Sequence, residues 1–490
     1  MVANRKIAFI DLDARQIEIT PIPDEWRRKY IGGRGLGTYL ACRYAAQECD
    51  PLAPGSAIVI SAGLLAGTLS SPSPMTIFTT QSPLTGFLEC AHLPGLFAAE
   101  MRWGGFDHLV VTGRSRRWAS IFIHDGTIQI LNTSHLKGTG MTRVADQLRR
   151  DLRDDDVKIL AIGTAGENRV RFATLADDMG HVTGRTGLGA VLGAKRIKAL
   201  ACRGTLDLEI KFPKQAILHR QAPPATHRPT AGNGSGAMNP KADPRLADLG
   251  LGFEMLVRTV QRAAAAAGTN SMTDVAALAD QIARRKGPGR NLADGPLRAA
   301  ARTGDNILPT LDLIALYCEK APERGAGFCA PPFSAPERSS TQYRGKPGTV
   351  AHLDLSLRLL DCLGDRTCAG ICPATGRLDL ERVAELIRIN AGREIEARVL
   401  QRAAYRCYAL ERLYNLRAER RARREGCLEM VLETPGGLEL SPAAWEGIDL
   451  AAFKRSVNRH YRQNGWDRKT LVKKKVLERL SMAELWDPFK

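Results

Sequence analysis

Hydrophobic and polar positions change their periodicity once along this chain, close to residue 211. Before that point, short runs rich in β-branched and aromatic residues alternate with glycine-rich turns, which predicts strands. The runs are KIAFIDL, QIEITPI, AIVIS, MTIFTT, HLVVTG, ASIFIHDG and IQILN. A helix over MTRVADQLRRDL and a strand over KILAIG are predicted next, and GRTGLGAVLGAKRIKALACRG predicts a glycine loop, a helix and a closing strand. Residues 1–211 are therefore expected to form a β-rich α/β domain.

The next segment, residues 212–247, has no apolar periodicity and is rich in Pro, Gly and Ala. This composition predicts a linker or an ordered coil with little core of its own. From about residue 248 onward, apolar residues recur with a spacing of about 3.6 residues, which predicts helices. We expect an α/β (α+β) first domain followed by all-helical domains: a shortened helical domain at 248–345 and a helical C-terminal domain at 346–490.

Composition restricts the class of protein. Of the 490 residues, 44% are hydrophobic, which supports sizeable cores. No apolar run is long enough to span a bilayer and the N-terminus has no apolar signal core, so we expect no membrane contact and a cytoplasmic location. The 11 cysteines are scattered and odd in number, which argues against a disulfide framework and favours buried thiols for most of them.

The formal net charge of +18 raises the question of a partner. Much of the positive charge lies on predicted helices near the C-terminus, at Arg417, Arg420, Arg421, Arg423 and Arg424. No aromatic RNA-binding pattern, zinc finger or recognition helix accompanies these arginines, so nucleic-acid binding is not favoured. The alternatives are a solvated arginine-rich helix face and a surface that meets an acidic protein.

Glycine-rich and charged motifs follow one another in a fixed order. The first half contains IGGRGLG (31–37), SPLTG (82–86), GLFAAEMRWGGFDHLVVTG (95–113), IGTAGENRVRFA (162–173) and GRTGLGAVLGAKRIKAL (184–200). The second half contains LADGPLRAAA (292–301), RGA (324–326), DCLG (361–364), LERLYNLR (410–417) and YRQNGWD (461–467). Each motif alone is weak, but in this order they resemble the aldehyde ferredoxin oxidoreductase family of tungstopterin enzymes.

The resemblance implies a tungstopterin cofactor beside a [4Fe–4S] cluster. The matching positions expected to contact the pterin are Gly95, Gly184, Arg185, Gly187, Gly250, Asp361 and Gly364. Backbone N–H groups of a glycine loop that opens a helix can bind phosphate, and Arg185 would pair with a pterin phosphate or carbonyl oxygen. The alternative is that these glycines only permit tight turns and close packing of helix on sheet.

The chain departs from the family pattern where the cluster and the catalytic groups should lie. The family's Cys-x-x-Cys-x-x-x-Cys motif would fall within residues 213–247, which contain no cysteine. The position of the family's catalytic His is matched by Phe328, which cannot transfer a proton, and the family's catalytic Glu falls in the same missing interval. A pterin-binding Asp-x-x-Gly-Leu-Asp motif is matched by 247–252, where its carboxylates are replaced by Ala247 and Gly252. No catalytic residue is therefore assigned.

Further departures affect the expected pterin contacts. Met75 replaces an Arg, which removes up to five hydrogen-bond donors, His92 replaces an Asn, and Pro94 replaces a Gly. After Asp361-Cys362-Leu363-Gly364 the chain inserts residues 365–367 before the next cysteine. A rebuilt metal site at Cys362, Cys368 and Cys372 is one interpretation, although this spacing matches no standard ligand pattern, and buried thiols are the alternative.

Two functions remain open, and so does the question of whether the chain is an enzyme. The favoured hypothesis is a degenerate paralogue, a pseudoenzyme candidate that serves as a subunit or scaffold of a redox complex. Its expected partners are an acidic redox protein, an active member of the family, or a second copy in a homodimer. The alternative is a divergent active tungstopterin oxidoreductase that oxidises an aldehyde or other carbonyl and transfers electrons to an iron–sulfur acceptor.

Overall fold

The computed structural model describes residues 5–45, 50–83, 86–183, 186–221, 346–366, 368, 378–424, 455, 459, 462–466 and 472–485. Seven positions named singly in the sequence analysis lie outside the described residues: Gly184, Arg185, Ala247, Gly250, Gly252, Phe328 and Cys372.

The first sheet has six strands in the order β2-β1-β6-β3-β4-β5. They are β1 Lys6–Asp11, β2 Gln16–Pro21, β3 Ile58–Ala62, β4 Met75–Gln81, β5 Leu88–Pro94 and β6 Phe106–Thr112. β1 pairs parallel with β6, and the other pairs are antiparallel. Alternate residues enter two different cores: Ile7 and Val59 face one, and Ala8 and Ile58 face the other. Because both faces of the central strands β1, β3 and β6 are largely buried, these strands appear in the sequence as mostly apolar runs.

The second sheet has five strands in the order β10-β9-β11-β7-β8. They are β7 Ala119–His124, β8 Thr127–Asn132, β9 Lys158–Ile162, β10 Leu175–Asp177 and β11 Ile197–Arg203. Phe78 and Leu109 of the first sheet share a core with Ile121 and Leu200 of the second, so the two sheets face each other. A separate apolar cluster packs the outer face of the second sheet against helix α4, Met141–Leu152.

Helices cover the remaining faces. In the N-terminal half they are α1 Asp24–Tyr30, α2 Gly33–Tyr44, α3 Phe97–Trp103, α5 Thr164–Glu167, α6 Leu188–Ala194 and α7 Pro213–Gln221, with a 3-10 turn at Ser134–Leu136. The later helices are α8 Lys346–Leu363, α9 Leu380–Ala391, α10 Ala397–Arg424 and α11 Lys474–Arg479, with a 3-10 turn at Ala483–Leu485. One apolar cluster joins α2 and the first sheet to α8, α9 and α10, so the C-terminal helices pack directly on the N-terminal half.

The expectation of a β-rich α/β domain followed by helices is confirmed. Several elements differ from expectation, among them helices α1, α2, α3 and α5 and strand β10, which the sequence patterns did not predict. The segment that begins at Pro213 starts with a helix, α7, instead of coil; proline suits the first helical position, and the buried Ala216 gives the helix a small core contact. Strand β5 was also not predicted, although β4, which precedes it and pairs with it, was. In the part of the chain that the structure describes, no helix is long and apolar enough to cross a bilayer.

Candidate functional site

Asp361, near the C-terminal end of α8, lies at the centre of a group of buried charges between the two halves of the chain. Its carboxylate is fully buried. Oδ1 accepts a hydrogen bond from Arg366 Nε at 2.7 Å, and Oδ2 accepts from Arg366 Nη2 at 3.1 Å and from Arg34 Nη1 at 3.0 Å. His92 Nε2 on β5 lies 2.9 Å from Oδ2. One carboxylate thus connects α2, β5 and the turn that follows α8.

Glu411 on α10 extends this arrangement. Arg34 donates to both of its oxygens, from Nε at 2.7 Å and from Nη2 at 3.1 Å. Arg358 donates to Glu411 Oε2 from Nε at 3.1 Å and from Nη2 at 2.8 Å, and it also pairs with Asp354 one turn earlier on α8. Three arginines therefore face three carboxylates, which limits the cost of burying them. The buried charge cluster consists of Arg34, His92, Asp354, Arg358, Asp361, Arg366 and Glu411.

Burial and neighbouring charges act in opposite directions on these groups. Burial alone would raise the pKa of Asp361, but Arg366 and His92 hold it well below its usual range. In the same way burial favours a higher pKa for Glu411, but its two arginines lower it. Burial lowers the pKa of His92 even though Asp361 favours its charged form. At neutral pH the two carboxylates are therefore ionised and His92 is neutral.

The first glycine loop and the end of α8 are in direct backbone contact. A Cβ at Gly33 would lie 2.2 Å from the carbonyl oxygen of Asp361, and a Cβ at Gly63 would lie 2.1 Å from the nitrogen of Gly364. Gly364 has φ +79°, and its carbonyl accepts a hydrogen bond from the N–H of Met75 at 2.9 Å. Because these glycines have no side chains, two segments of the same chain can come into backbone contact.

Two other described glycines that were predicted to contact a pterin, Gly187 and Gly95, also face the chain itself. At Gly187, which has φ +71°, a Cβ would lie 2.1 Å from the carbonyl oxygen of Arg171. At Gly95 it would lie 2.8 Å from Asp177 Oδ2. These contacts match the alternative interpretation, in which the glycines permit turns and close packing.

The described residues that the resemblance assigns to a tungstopterin do not fit that group. The acceptor positions of Asp361, which a pterin would need for its N–H groups, are directed at Arg34, His92 and Arg366. The faces of the matching glycines are filled by atoms of the chain. We therefore derive no chemical step through a pterin for this protein.

Two of the three thiols predicted to hold a metal are buried and protonated. Burial raises the pKa of Cys362 to about 12, and its Sγ packs against Gly35. Burial also raises the pKa of Cys368, whose Sγ donates to the carbonyl oxygen of Asp365 at 3.2 Å. Among the described residues, no group of three or more His, Cys, Asp or Glu side chains is arranged to hold a metal ion. A site that includes Cys372 stays a prediction.

Two departures from the family pattern lie at or beside the buried charge cluster. His92 contacts Asp361, as described above. Met75 is 6% exposed and begins β4, where it pairs with Pro94 at the end of β5. An apolar side chain thus occupies the place of a guanidinium that would need an anion or pterin oxygen as its partner.

The residues inserted after Gly364 also form hydrogen bonds with the rest of the chain. Asp365 is fully buried, and its Oδ2 accepts from Ser71 Oγ at 2.8 Å and from the N–H of Ser73 at 2.9 Å. The next residue, Arg366, supplies two of the hydrogen bonds to Asp361. The extra residues therefore join the end of α8 to the first sheet's loops.

Sequence reasoning did not identify Arg34, Arg358 or Glu411 as members of the site. A signal was present for one of them, because Arg34 interrupts the glycine motif at 31–37. A charged residue inside a motif that is otherwise buried requires a partner of opposite charge, although the sequence does not show which one.

Known proteins share this organisation. The family model "Aldehyde ferredoxin oxidoreductase, N-terminal domain" matches residues 7–204, and "Aldehyde ferredoxin oxidoreductase, domains 2 & 3" matches residues 266–482. A tungsten-containing aldehyde ferredoxin oxidoreductase from Pyrococcus furiosus is 34% identical over 227 residues, covering 46% of this chain and 38% of that protein. A tungsten-containing aldehyde ferredoxin oxidoreductase from Thermococcus kodakarensis is 32% identical over 209 residues, covering 43% and 34%.

A more distant relative is the WOR-like subunit of an aliphatic sulfonate oxidoreductase from Pyrococcus furiosus, 26% identical over 229 residues, which are 44% of this chain and 36% of that protein. Each of these three matches spans less than two fifths of the relative's own length. Among solved structures, the active site complex BamBC of benzoyl coenzyme A reductase with 1,5-dienoyl-CoA has a TM-score of 0.74 and 20% identity, covering 100% of this chain and 98% of that one.

The two facing sheets and the helices packed on them form the same fold as that complex. Both halves match the models of one family in chain order. The chain belongs to the aldehyde ferredoxin oxidoreductase family.

Proposed function

We propose that this protein is a member of the family that has lost its cofactor site and acts as a subunit or scaffold of a redox complex. The observation that supports the proposal is the environment of Asp361. Its carboxylate matches a pterin-binding position of the family, yet its acceptor positions are directed at basic and imidazole groups of the same chain.

Energetics favour the same conclusion. A pterin at this position would have to displace Arg366 from Asp361 and leave a buried charge unpaired. Breaking a buried ion pair in this way costs roughly 3–5 kcal/mol. The cofactor would have to recover that free energy with contacts that Met75 and Pro94 do not supply, since neither side chain carries a donor.

The proposal includes a partner and a compartment. The net charge of +18 suits an acidic redox protein or an acidic active member of the family. Among the relatives, one is named as a subunit and the similar structure is a complex, which supports a multi-subunit role. All six described cysteines are free, as expected for the reducing cytoplasm; they are Cys42, Cys90, Cys202, Cys362, Cys368 and Cys407.

Elemental analysis of the full chain tests the proposal. The protein is produced in cells supplied with tungstate and molybdate and purified without oxygen, and its W, Mo and Fe are measured per chain. We expect substoichiometric metal together with a folded far-UV spectrum. We also expect the melting temperature to be unchanged by a chelator and by omission of tungstate, because a ligand bound only to the native state would shift it.

The same experiment can give the result expected for the alternative function. Stoichiometric W or Mo together with about four Fe atoms per chain would overturn the proposal and favour a divergent active tungstopterin oxidoreductase. In that case Asp361→Asn should lower the W content, whereas Asp24→Asn, a change at a surface ion pair, should leave it unchanged.

A further inference from the structure

Two short turns beside the second sheet have the same construction and lie against each other. In each, an arginine N–H donates to the carbonyl of the glycine three residues earlier: Arg169 to Gly166 at 2.9 Å and Arg196 to Gly193 at 3.0 Å. A Cβ at Gly193 would lie 1.8 Å from the carbonyl oxygen of Gly166, so the two glycines are in backbone contact. One turn follows β9 and the other precedes its antiparallel neighbour β11, which places both at the same end of the sheet.

A third arginine belongs to this group. Burial lowers the pKa of Arg114, and the charges of Arg196 and Arg169 lower it further, ahead of the opposing effect of Asp13. The Nε of Arg114 is buried and has no hydrogen-bond acceptor among the described residues. Like charges have therefore been brought together with incomplete compensation, which is the arrangement of a site that receives negative charge from outside.

The backbone at two of these arginines is unfavourable for their residue type. Arg169 has φ +60° and Arg196 has φ +57°, in the left-handed region that suits glycine and disfavours any residue with a Cβ. Glycine at either position would relieve the backbone and reduce the repulsion on Arg114. Arg196 Nη1 donates to the carbonyl oxygens of Ser115 and Arg116, so its guanidinium joins this turn to the loop of Arg114. For Arg169, an outlier that is unfavourable for both the backbone and the charge balance points to a role of the side chain outside the fold.

The surroundings of the three arginines indicate what kind of anion they meet. Arg116 and Arg117, in the same loop as Arg114, are exposed and extend the positive surface. Exposed Asp11 and Asp13 border it, and Asp13 Oδ1 accepts from the N–H of Arg114 at 3.0 Å. A nucleic-acid backbone, which is uniformly negative, would be repelled by these two carboxylates. A protein surface that is mostly acidic but carries a few basic residues would complement both signs.

We propose that the arginine patch, formed by Arg114, Arg116, Arg117, Arg169 and Arg196, is the docking surface for an acidic protein partner. The inference rests on the proposed function in that the partner is the other component of the redox complex. It adds the location of the interface, at the end of the second sheet and away from the buried charge cluster.

The left-handed arginines allow a test that does not depend on damaging the fold. Arg169→Gly removes a charge and places glycine where the backbone favours it, and Arg114→Gln removes a second charge. The matched control is Arg150→Gln with Arg153→Gly, since both residues are exposed and Arg153 is also left-handed, at φ +55°. The two double variants have the same change in net charge, and each combines one substitution of a left-handed Arg by Gly with one substitution of Arg by Gln.

Binding is measured by fluorescence anisotropy of two labelled probes on the full chain: an acidic peptide of about 20 residues with interspersed lysines and a DNA duplex of about 20 base pairs. We expect the peptide to bind and its affinity to fall as salt rises from about 50 to about 200 mM. The patch variant should bind the peptide about five- to tenfold more weakly, and the control less than about twofold. Arg169→Gly alone replaces the double variant if the latter does not fold.

Equal losses in the patch variant and the control would overturn the inference, as would no binding of the peptide by the native chain. Tighter binding of DNA than of peptide, abolished by the patch variant, would assign the surface to nucleic acid instead. The metal content of the protein does not enter this measurement. The docking surface can therefore fail while the proposed function stands, and the elemental analysis can fail while the docking surface stands.

Discussion

Asp361→Asn perturbs the buried charge cluster directly, because the two side chains have nearly the same volume and differ mainly in charge. In the native protein the carboxylate serves Arg366, Arg34 and His92 at once. Arg34 keeps Glu411 after the substitution, so the loss falls mainly on Arg366. Removing one partner of a buried ion pair costs about 3–5 kcal/mol, and we expect the lower end of that range. Such a loss is a large part of the 5–15 kcal/mol by which native proteins are typically stable.

The measurement is urea unfolding at pH 7, followed by far-UV circular dichroism. Asp24→Asn is the control, because that carboxylate is 48% exposed and its partners, Arg28 at 2.9 Å and Arg393 at 2.5 Å, are themselves partly exposed, so that water can replace them. It should shift the midpoint far less than Asp361→Asn. Adding Arg366→Gln to Asp361→Asn should restore part of the loss, since the uncompensated charge is removed. Equal midpoints for Asp361→Asn and Asp24→Asn would refute the idea that the cluster stabilises the junction of the two halves.

Three further predictions follow from the same region. Gly63→Ala should lower the melting temperature more than Gly126→Ala. The first new Cβ meets a backbone nitrogen at 2.1 Å, whereas the second meets nothing within 4 Å and costs only the backbone strain of φ +82°. Scanning fluorimetry compares the two variants, and equal shifts would contradict the contact. Folding lowers the pKa of Asp361, so its ionised carboxylate contributes to stability above the ordinary pKa near 4, and this contribution is lost as the pH falls towards the lowered pKa. In a plot of the free energy of unfolding against pH, the acid side should therefore be flatter for Asp361→Asn than for the native protein. Cys362, whose pKa burial raises to about 12, should resist iodoacetamide at about pH 8 until urea unfolds the chain, as peptide mass spectrometry would detect, and rapid labelling of the native protein would show that the thiol is accessible.

Much of the N-terminal fold was predictable because several of its strands are buried on both faces. Strands β1, β3, β6 and β7 are mostly apolar runs of this kind and coincide with the predicted ones, as do β4 and the largely exposed β8. Strand β5 was not predictable in this way, because LECAHLP mixes charged, polar and apolar residues. It is a strand because β4 pairs with it along its whole length, from Met75 opposite Pro94 to Gln81 opposite Leu88. Pairing of this kind is a tertiary property.

The site was predictable only in part. Motif order led to Asp361 and Gly364 and identified Met75, His92 and Pro94 as departures. The hydrogen bonds that decide the chemistry join residues far apart in the chain: Arg34 and Asp361 are separated by 327 positions, and Arg34 and Glu411 by 377. The sequence pattern around each of these residues does not indicate such a pairing. The insertion at 365–367 illustrates this, since in the sequence it only interrupts a motif, whereas in the structure it supplies the partner of Asp361.

The sequence by itself determined the change from a β-rich α/β domain to helices, the family and the absence of a cluster motif from residues 213–247. Each of these depends on residue types and on spacings along the chain. Only the tertiary structure decided that Gly187 and Gly364 pack against the chain's own backbone and that the carboxylate of Asp361 is held by its own arginines and a histidine. The physical reason is that a buried charge is stable only beside its partner, and folding brings together partners that are hundreds of residues apart.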